Sequence, residues 1–168
     1  IPAVGLYFHG DAEELKLRQA ACKQYIDELI TRDKNHPSVI MWSVANEPFP
    51  PSINLSPTDV KAAEPNSTPL FAELFKLVKE KDPTRLTTLV GVMGGPVEWL
   101  ALSDVVCINR YWGWYTNPGD IKTGADLLSK ELDELYGKLK KPIVITEFGA
   151  DTYPGMHAEQ PEMFTEEY

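Results

Sequence analysis

Hydrophobic and polar positions follow two alternating periods along this chain. From Asp11 to Arg32, the residues Cys22, Tyr25, Ile26, Leu29 and Ile30 fall at the i, i+3, i+4 spacing of an amphipathic helix. Ser38–Ala45 is a short, nearly continuous apolar run, the pattern of a strand buried on both faces as parallel sheets require. The Pro-rich stretch from Pro48 to Pro69 has no period and reads as a long loop. Thr68 suits the cap of the next helix and Pro69 its first position, and Leu70, Phe71, Leu74, Phe75 and Val78 mark its buried face. Leu86–Gly91 predicts a strand, 96–102 a short helix, and 104–111 a third clear strand. Leu128, Leu132, Leu135, Tyr136 and Leu139 line a further helix that Pro142 ends, and 143–148 predicts the fourth strand. Residues 1–6 read as the end of a fifth.

Strands alternating with helices, without hairpin signals between them, predict a parallel α/β architecture. A doubly wound nucleotide-binding sheet should show a Gly-rich turn after its first strand. The chain has no GxGxxG and no GxxxxGK[ST]. A (β/α)8 TIM barrel instead places its chemistry at the C-terminal ends of strands, and the unusual residues of this sequence sit there. Such a barrel typically needs about 250 residues, so the 168 here predict only part of one, in a single domain spanning 1–168.

Two predicted strands run directly into a carboxylate. Val39–Ala45 leads into Asn46-Glu47-Pro48, and Ile143–Thr146 into Glu147-Phe148-Gly149. A Glu at the end of a buried apolar strand is costly unless it is paired or used. Pairing would draw on Arg32, Arg85 or Arg110. Two such residues at the active face of one barrel favour use over pairing. Glycoside hydrolysis needs two carboxyl groups in different states, one protonated to donate to the leaving oxygen and one ionised to attack or to activate water.

The run from Asp33 to Glu47, DKNHPSVIMWSVANE, resembles the acid/base signature of glycoside hydrolase family 2, which groups β-galactosidases, β-mannosidases and β-glucuronidases. Within that family, Asn109-Arg-Tyr-Trp-Gly-Trp-Tyr115 and Ile145-Thr-Glu-Phe-Gly149 resemble, in order and spacing, segments of β-glucuronidases. The resemblance loosens before Asp11 and between Phe49 and Asn66. It implies a stretch of the barrel from about the end of its third strand through its seventh. It also implies a retaining hydrolase of β-D-glucuronides acting through a covalent glycosyl-enzyme without a cofactor. Glu147 is then the nucleophile and Glu47 the acid that later acts as base. Asn46 is expected to bond the sugar 2-hydroxyl, Tyr111 to sit against Glu147, Tyr115 to reach toward the uronate carboxylate, and Asn109 to lie in the same wall. The family further implies β-sandwich domains before the barrel and a homo-oligomeric, often tetrameric, parent. The rival readings are a family 2 β-galactosidase or related uronidase and, in a different class, a non-catalytic carbohydrate-binding fragment. The last has physical force because a partial barrel leaves strand edges unpaired.

Trp112 and Trp114 suit equally a sugar-stacking platform and aromatic core, while Trp42 reads as core. His36 reads as a structural hydrogen-bonding residue, and His9 and His157 as isolated. No HExxH or Cys/His cluster points to a metal, and no GxSxG elbow to a serine hydrolase.

Composition removes several other classes. The chain is 43% hydrophobic and 24% charged, ordinary globular usage. With 16 Lys+Arg against 25 Asp+Glu its net charge is -9, which repels phosphate backbones and anionic membrane surfaces and argues against both as partners. No apolar run approaches the roughly 20 residues that span a bilayer. Cys22 and Cys107 read as buried free thiols. Glu159–Glu167 reads as a solvated acidic surface. The opening Ile-Pro-Ala-Val, with no Met, reads as an internal piece of a longer protein and leaves the compartment unspecified. The sequons at Asn54 and Asn66 add little, because such triplets arise by chance in Ser/Thr-rich loops.

Overall fold

The computed structural model describes residues 12–48 and 68–168. The expected strand over 1–6, His9, both sequons and most of the Pro-rich loop lie outside them. The described elements are α1 (Ala12–Asp33), β1 (Met41–Asn46), α2 (Thr68–Lys81), β2 (Leu86–Gly91), α3 (Val97–Leu100), β3 (Val106–Asn109), α4 (Ile121–Leu139) and β4 (Ile143–Glu147). Strands alternate with helices, and β1 pairs with β2 in parallel, Met41 opposite Leu86 and Trp42 opposite Thr87. The chain forms two units, Ile1–Cys107 and Ile108–Tyr168, with the division falling inside β3.

In the first unit α2 buries the five residues its period predicts, Leu70, Phe71, Leu74, Phe75 and Val78. Fully burying a side chain of this kind stabilises by about 1.5–3 kcal/mol. Ile26 and Ile30 of α1 join this core, but Tyr25 is 45% exposed and Cys22 is only partly buried. The helical stripe that meets α2 is therefore narrower than the sequence pattern. Ion pairs Lys23–Glu73 and Lys81–Asp27 rim the α1–α2 seam. Phe71 packs on Trp99 with ring centroids 4.8 Å apart, and the Trp99 indole donates to the Thr68 hydroxyl at 3.2 Å. The strand expected from Ser38 begins at Met41, leaving Ile40 80% exposed. Trp42, Val44 and Ala45 are buried, as a two-faced strand requires.

Asp82 closes α2 as a buried hub. Its carboxylate accepts from the Trp42 indole at 2.9 Å, the Thr84 hydroxyl at 2.6 Å, the Thr84 N–H at 3.1 Å and Arg85 Nη1 at 2.5 Å. Arg85 also donates to the carbonyls of Val39 and His36. His36 thus contributes through its main chain, while its side chain is exposed. Asp104 accepts from the Thr87 N–H and hydroxyl at 2.8 and 2.9 Å, and the Thr88 hydroxyl donates to the Val105 carbonyl at 2.7 Å. These bonds set β2 beside the start of β3. Burial pushes both thiols upward, Cys22 and Cys107 alike, and both are free.

In the second unit Asp120 caps α4 by accepting from the Thr123 N–H at 3.0 Å, and Lys140 ends the helix in a left-handed conformation. Of the residues predicted to line α4, Leu135 is buried, Leu128, Leu132 and Leu139 are partly so, and Tyr136 is exposed. β4 is also less buried than its apolar run predicts: Val144 is exposed and Ile143 and Ile145 are intermediate. Among the described residues no helix follows β4 to cover it. The chain after β4 instead folds on itself through Tyr153 N–H to Phe164 O at 3.0 Å and Glu166 N–H to Met156 O at 2.9 Å. His157 is not isolated: its Nδ1 lies 2.7 Å from Glu167 and its Nε2 3.5 Å from Glu166. The acidic stretch is therefore partly tied down, with Thr165 buried. No described helix is long and apolar enough to cross a membrane.

Candidate active site

Asn46 and Glu47 lie in the first unit and the remaining site residues in the second. β1 changes register against β2 between Ser43 and Asn46. Such irregularities re-aim side chains at strand ends. Glu47 then takes a left-handed backbone, φ 46°, with its N–H donating to Val90 O at 2.9 Å. A non-glycine residue there costs roughly 1–2 kcal/mol, and strain of this kind gathers at functional sites. Both side chains are partly buried. Each of the three arginines considered as a partner has another carboxylate beside it: Arg32 pairs with Asp33, Arg85 with Asp82 and Arg110 with Glu131.

Glu147 is the last residue of β4 and is exposed. The chain turns immediately beyond it at Gly149, φ 110°, a conformation that favours glycine. The Tyr111 hydroxyl donates to Glu147 Oε2 at 2.5 Å, and the Arg110 N–H donates to Glu147 O at 2.9 Å. Tyr111, Trp114, Tyr115, Thr146, Glu147, Phe148 and Asp151 are among the residues lining a hollow of about 360 Å³, within the usual range for small-molecule sites. Tyr115 is 70% exposed and meets Tyr111 edge-on at 5.3 Å. Trp114 is 3% exposed, wedged against Phe164 and Tyr168 at 4.9 and 5.6 Å. It presents little face to stack on a sugar and acts mainly as the floor under the loop. Trp112 is held by its indole N–H on Glu131 at 2.8 Å.

Asn109 differs from the expected wall residue. It is fully buried, and its Oδ1 accepts from the Thr146 hydroxyl at 2.6 Å. Its side chain thereby fixes the residue before Glu147 rather than lining the hollow. Asp151 and Phe148 line it without having been singled out from sequence. The available signal for Asp151 is a second carboxylate just past the strand-end Glu. Arg110 and Glu131 also escape sequence reasoning as a pair, because nothing local links a strand end to a position midway along the next helix. Among the described residues no group of His, Cys, Asp and Glu could hold a metal ion.

Over residues 4–168 the chain matches the family described as Glycosyl hydrolases family 2, TIM barrel domain. It is 40% identical over 184 residues to the β-glucuronidase of Streptococcus agalactiae serotype V, which covers 100% of this chain and 29% of that protein. Among solved structures it is similar to an uncultured Clostridium sp. β-glucuronidase, with TM-score 0.82 and 36% identity over 99% of this chain and 28% of that one. It is also similar to the β-glucuronidase from Ruminococcus gnavus in complex with D-glucuronic acid, with TM-score 0.75 and 34% identity over 92% and 25% of the two chains. The chain spans less than a third of the length of these relatives. The family match across nearly every residue, joined to parallel strands that alternate with helices, means that this chain belongs to glycoside hydrolase family 2 and makes up part of its TIM barrel.

Proposed function

We propose that the full-length protein is a retaining β-glucuronidase in which Glu147 is the nucleophile and Glu47 the acid and base. The observation that carries this reading is the Glu147 carboxylate, exposed at a strand end in a small-molecule-sized hollow and oriented there by the Tyr111 hydroxyl. Both carboxylates stand at the C-terminal ends of strands, Glu47 just after β1 and Glu147 as the last residue of β4, where barrel enzymes carry their chemistry. The similar proteins are β-glucuronidases, one of them with D-glucuronic acid bound, and this supports the choice of sugar.

In the first step Glu147 attacks the anomeric carbon as Glu47 gives its proton to the departing oxygen, leaving a glycosyl ester on Glu147. In the second, Glu47 takes a proton from water, and the water oxygen displaces Glu147 from the anomeric carbon. The product keeps the β configuration after two inversions. Asn46, beside Glu47, is the candidate for the sugar 2-hydroxyl, a contact that strengthens in the transition state. Tyr115, exposed on the hollow, is the candidate for the uronate carboxylate. Asn109 contributes through Thr146.

The test is hydrolysis of paired chromogenic β-glucuronide and β-galactoside substrates by the full-length protein, with Glu47→Gln and Glu147→Gln beside it. Glucuronide turnover lost in both variants supports the sugar and the catalytic pair. Turnover of the galactoside alone keeps the mechanism and overturns the reading of Tyr115. Turnover of neither substrate returns the non-catalytic binding role to the front.

A further inference from the structure

One carboxylate grips the segment that carries Tyr111 at two points. Glu131, on α4, accepts from Arg110 Nε at 2.6 Å through Oε1 and from Trp112 Nε1 at 2.8 Å through Oε2. Arg110 and Trp112 are the immediate neighbours of Tyr111. Holding both neighbours on the helix fixes the stretch of backbone that carries Tyr111, whose hydroxyl reaches Glu147. The grip is deep: the Arg110 side chain is 4% exposed, and its Nη1 also donates to Asn109 O at 2.7 Å. α4 approaches this segment closely along the same face. A Cβ on Gly124, two helical turns before Glu131, would stand 2.9 Å from Gly113 N and 3.0 Å from Trp112 C.

Neutralising a buried guanidinium needs a carboxylate, but it does not need the indole. The second oxygen spent on Trp112 ties down both flanks of one residue. We propose that Glu131 is a positioning residue for glycoside hydrolysis: by fixing Arg110 and Trp112 it sets the direction of the Tyr111 hydroxyl and, through it, the orientation of the Glu147 carboxylate. This rests on Glu147 being the nucleophile. Glu131 itself touches no reacting atom. Its contribution is the precision with which the attacking oxygen is held, a feature on which misplacement by about 1 Å can cost ~100-fold in rate.

The experiment is steady-state kinetics of the full-length protein on a chromogenic β-glucuronide. The variants are Glu131→Ala, Glu131→Gln, Tyr111→Phe, the double variant Tyr111→Phe/Glu131→Ala, and Glu147→Gln. Glu131→Ala is expected to lower kcat by ~10- to 100-fold while KM moves less than ~3-fold. In the Tyr111→Phe background the same change should cost less than ~3-fold, because no hydroxyl remains to be positioned. Glu131→Gln keeps the size and one acceptor but turns an amide N–H toward a donor. It should fall between wild type and the Ala variant, and it carries the test should Glu131→Ala fail to fold. An equal loss in the wild-type and Tyr111→Phe backgrounds, or a wild-type kcat in Glu131→Gln, overturns the role of Glu131 while leaving the nucleophile standing. Turnover that survives Glu147→Gln overturns the nucleophile assignment itself and this inference with it.

Discussion

The Tyr111 hydroxyl donates to Glu147 Oε2 at 2.5 Å across 36 residues of chain, and the Arg110 N–H donates to the Glu147 carbonyl at 2.9 Å. Main chain and side chain of Glu147 are thus both held by the segment that leaves β3. Anchoring one carboxylate oxygen directs the other. A hydrogen bond to a charged group contributes about 1.5–3 kcal/mol, which converts to roughly 10- to 150-fold in rate where it is spent in the transition state. Tyr111→Phe keeps the ring and its edge-on contact with Tyr115. It is expected to lower kcat on a β-glucuronide by that factor with little change in KM. Unchanged kcat would remove Tyr111 from the mechanism.

Tyr168 pins the loop that presents Tyr115. Its hydroxyl accepts from the Gly119 N–H at 2.6 Å and donates to the Gly113 carbonyl, bridging both ends of residues 113–119. Tyr168→Phe retains the packing on Trp114 and loses both bonds. Freed loop motion blurs the position of Tyr115, so KM for a glucuronide is expected to rise ~3- to 10-fold with kcat within ~2-fold, the signature of lost uniform binding. Comparing the same two constants in Tyr115→Phe checks the route. If Tyr168→Phe alters kcat alone, the loop acts on the chemistry and not on the sugar.

Much of this geometry is legible in the sequence, for identifiable reasons. α2 buries the five residues its 3.6-residue period selects, because one helix face meets one core. Glu47 and Glu147 stand out because apolar runs end on them, and the strands that form there end at Asn46 and Glu147. Burial that depends on what lies opposite is not legible: Tyr25 keeps the helical period yet is exposed, and β4 reads as doubly buried yet is covered on neither side to that degree. The polar hubs escape as well. Arg85 and Asp82 are three positions apart and could be paired on sight, but Trp42 joins Asp82 from 40 residues away. Glu131 reaches Arg110 and Trp112 from the middle of the next helix. Periodicity records which face is inward and not which partner waits there.

Gly124 sits where α4 touches the loop backbone. Its replacement by Ala normally favours a helix by about 1 kcal/mol. Here the added methyl would meet Gly113 N at 2.9 Å, Trp112 C at 3.0 Å and Gly113 Cα at 3.1 Å. All three are backbone atoms, which cannot swing aside as a side-chain tip can. Overpacking of this kind costs about 1–3 kcal/mol and outweighs the propensity gain. Gly124→Ala is therefore expected to lower the thermal midpoint of the full-length protein and to lower glucuronide turnover, since the segment displaced runs from Trp112 into the loop of Tyr115. Gly137→Ala on the same helix is the control. Nothing lies near its Cβ, so it should be neutral or stabilising. A Gly124→Ala variant as stable as Gly137→Ala would show that the approach relaxes without cost.

Asp82 makes stability pH-dependent with a definite sign. The Thr84 hydroxyl and the Trp42 indole, with Arg85 and the Thr84 N–H, hold its carboxyl far below the usual carboxylate range against the opposing effect of burial. A group whose folded value lies below its unfolded one, about 3.9 for Asp, stabilises the fold at all higher pH. That contribution is lost as pH falls below about 4 toward the folded value. Asp104, lowered by Lys79 and Thr87 although burial opposes it, acts with the same sign. The midpoint of heat or urea unfolding should therefore be nearly flat from about pH 7 to 5 and drop below about pH 4. Asp82→Asn removes the charge and turns an amide N–H toward one of four donors. Breaking a buried network of this kind costs about 3–5 kcal/mol at pH 7. The same variant should lose less stability than wild type between pH 5 and 3, because the group that must take up a proton is gone. If wild type and Asp82→Asn run parallel through that window, acid sensitivity belongs to other carboxylates and the hub is merely packed.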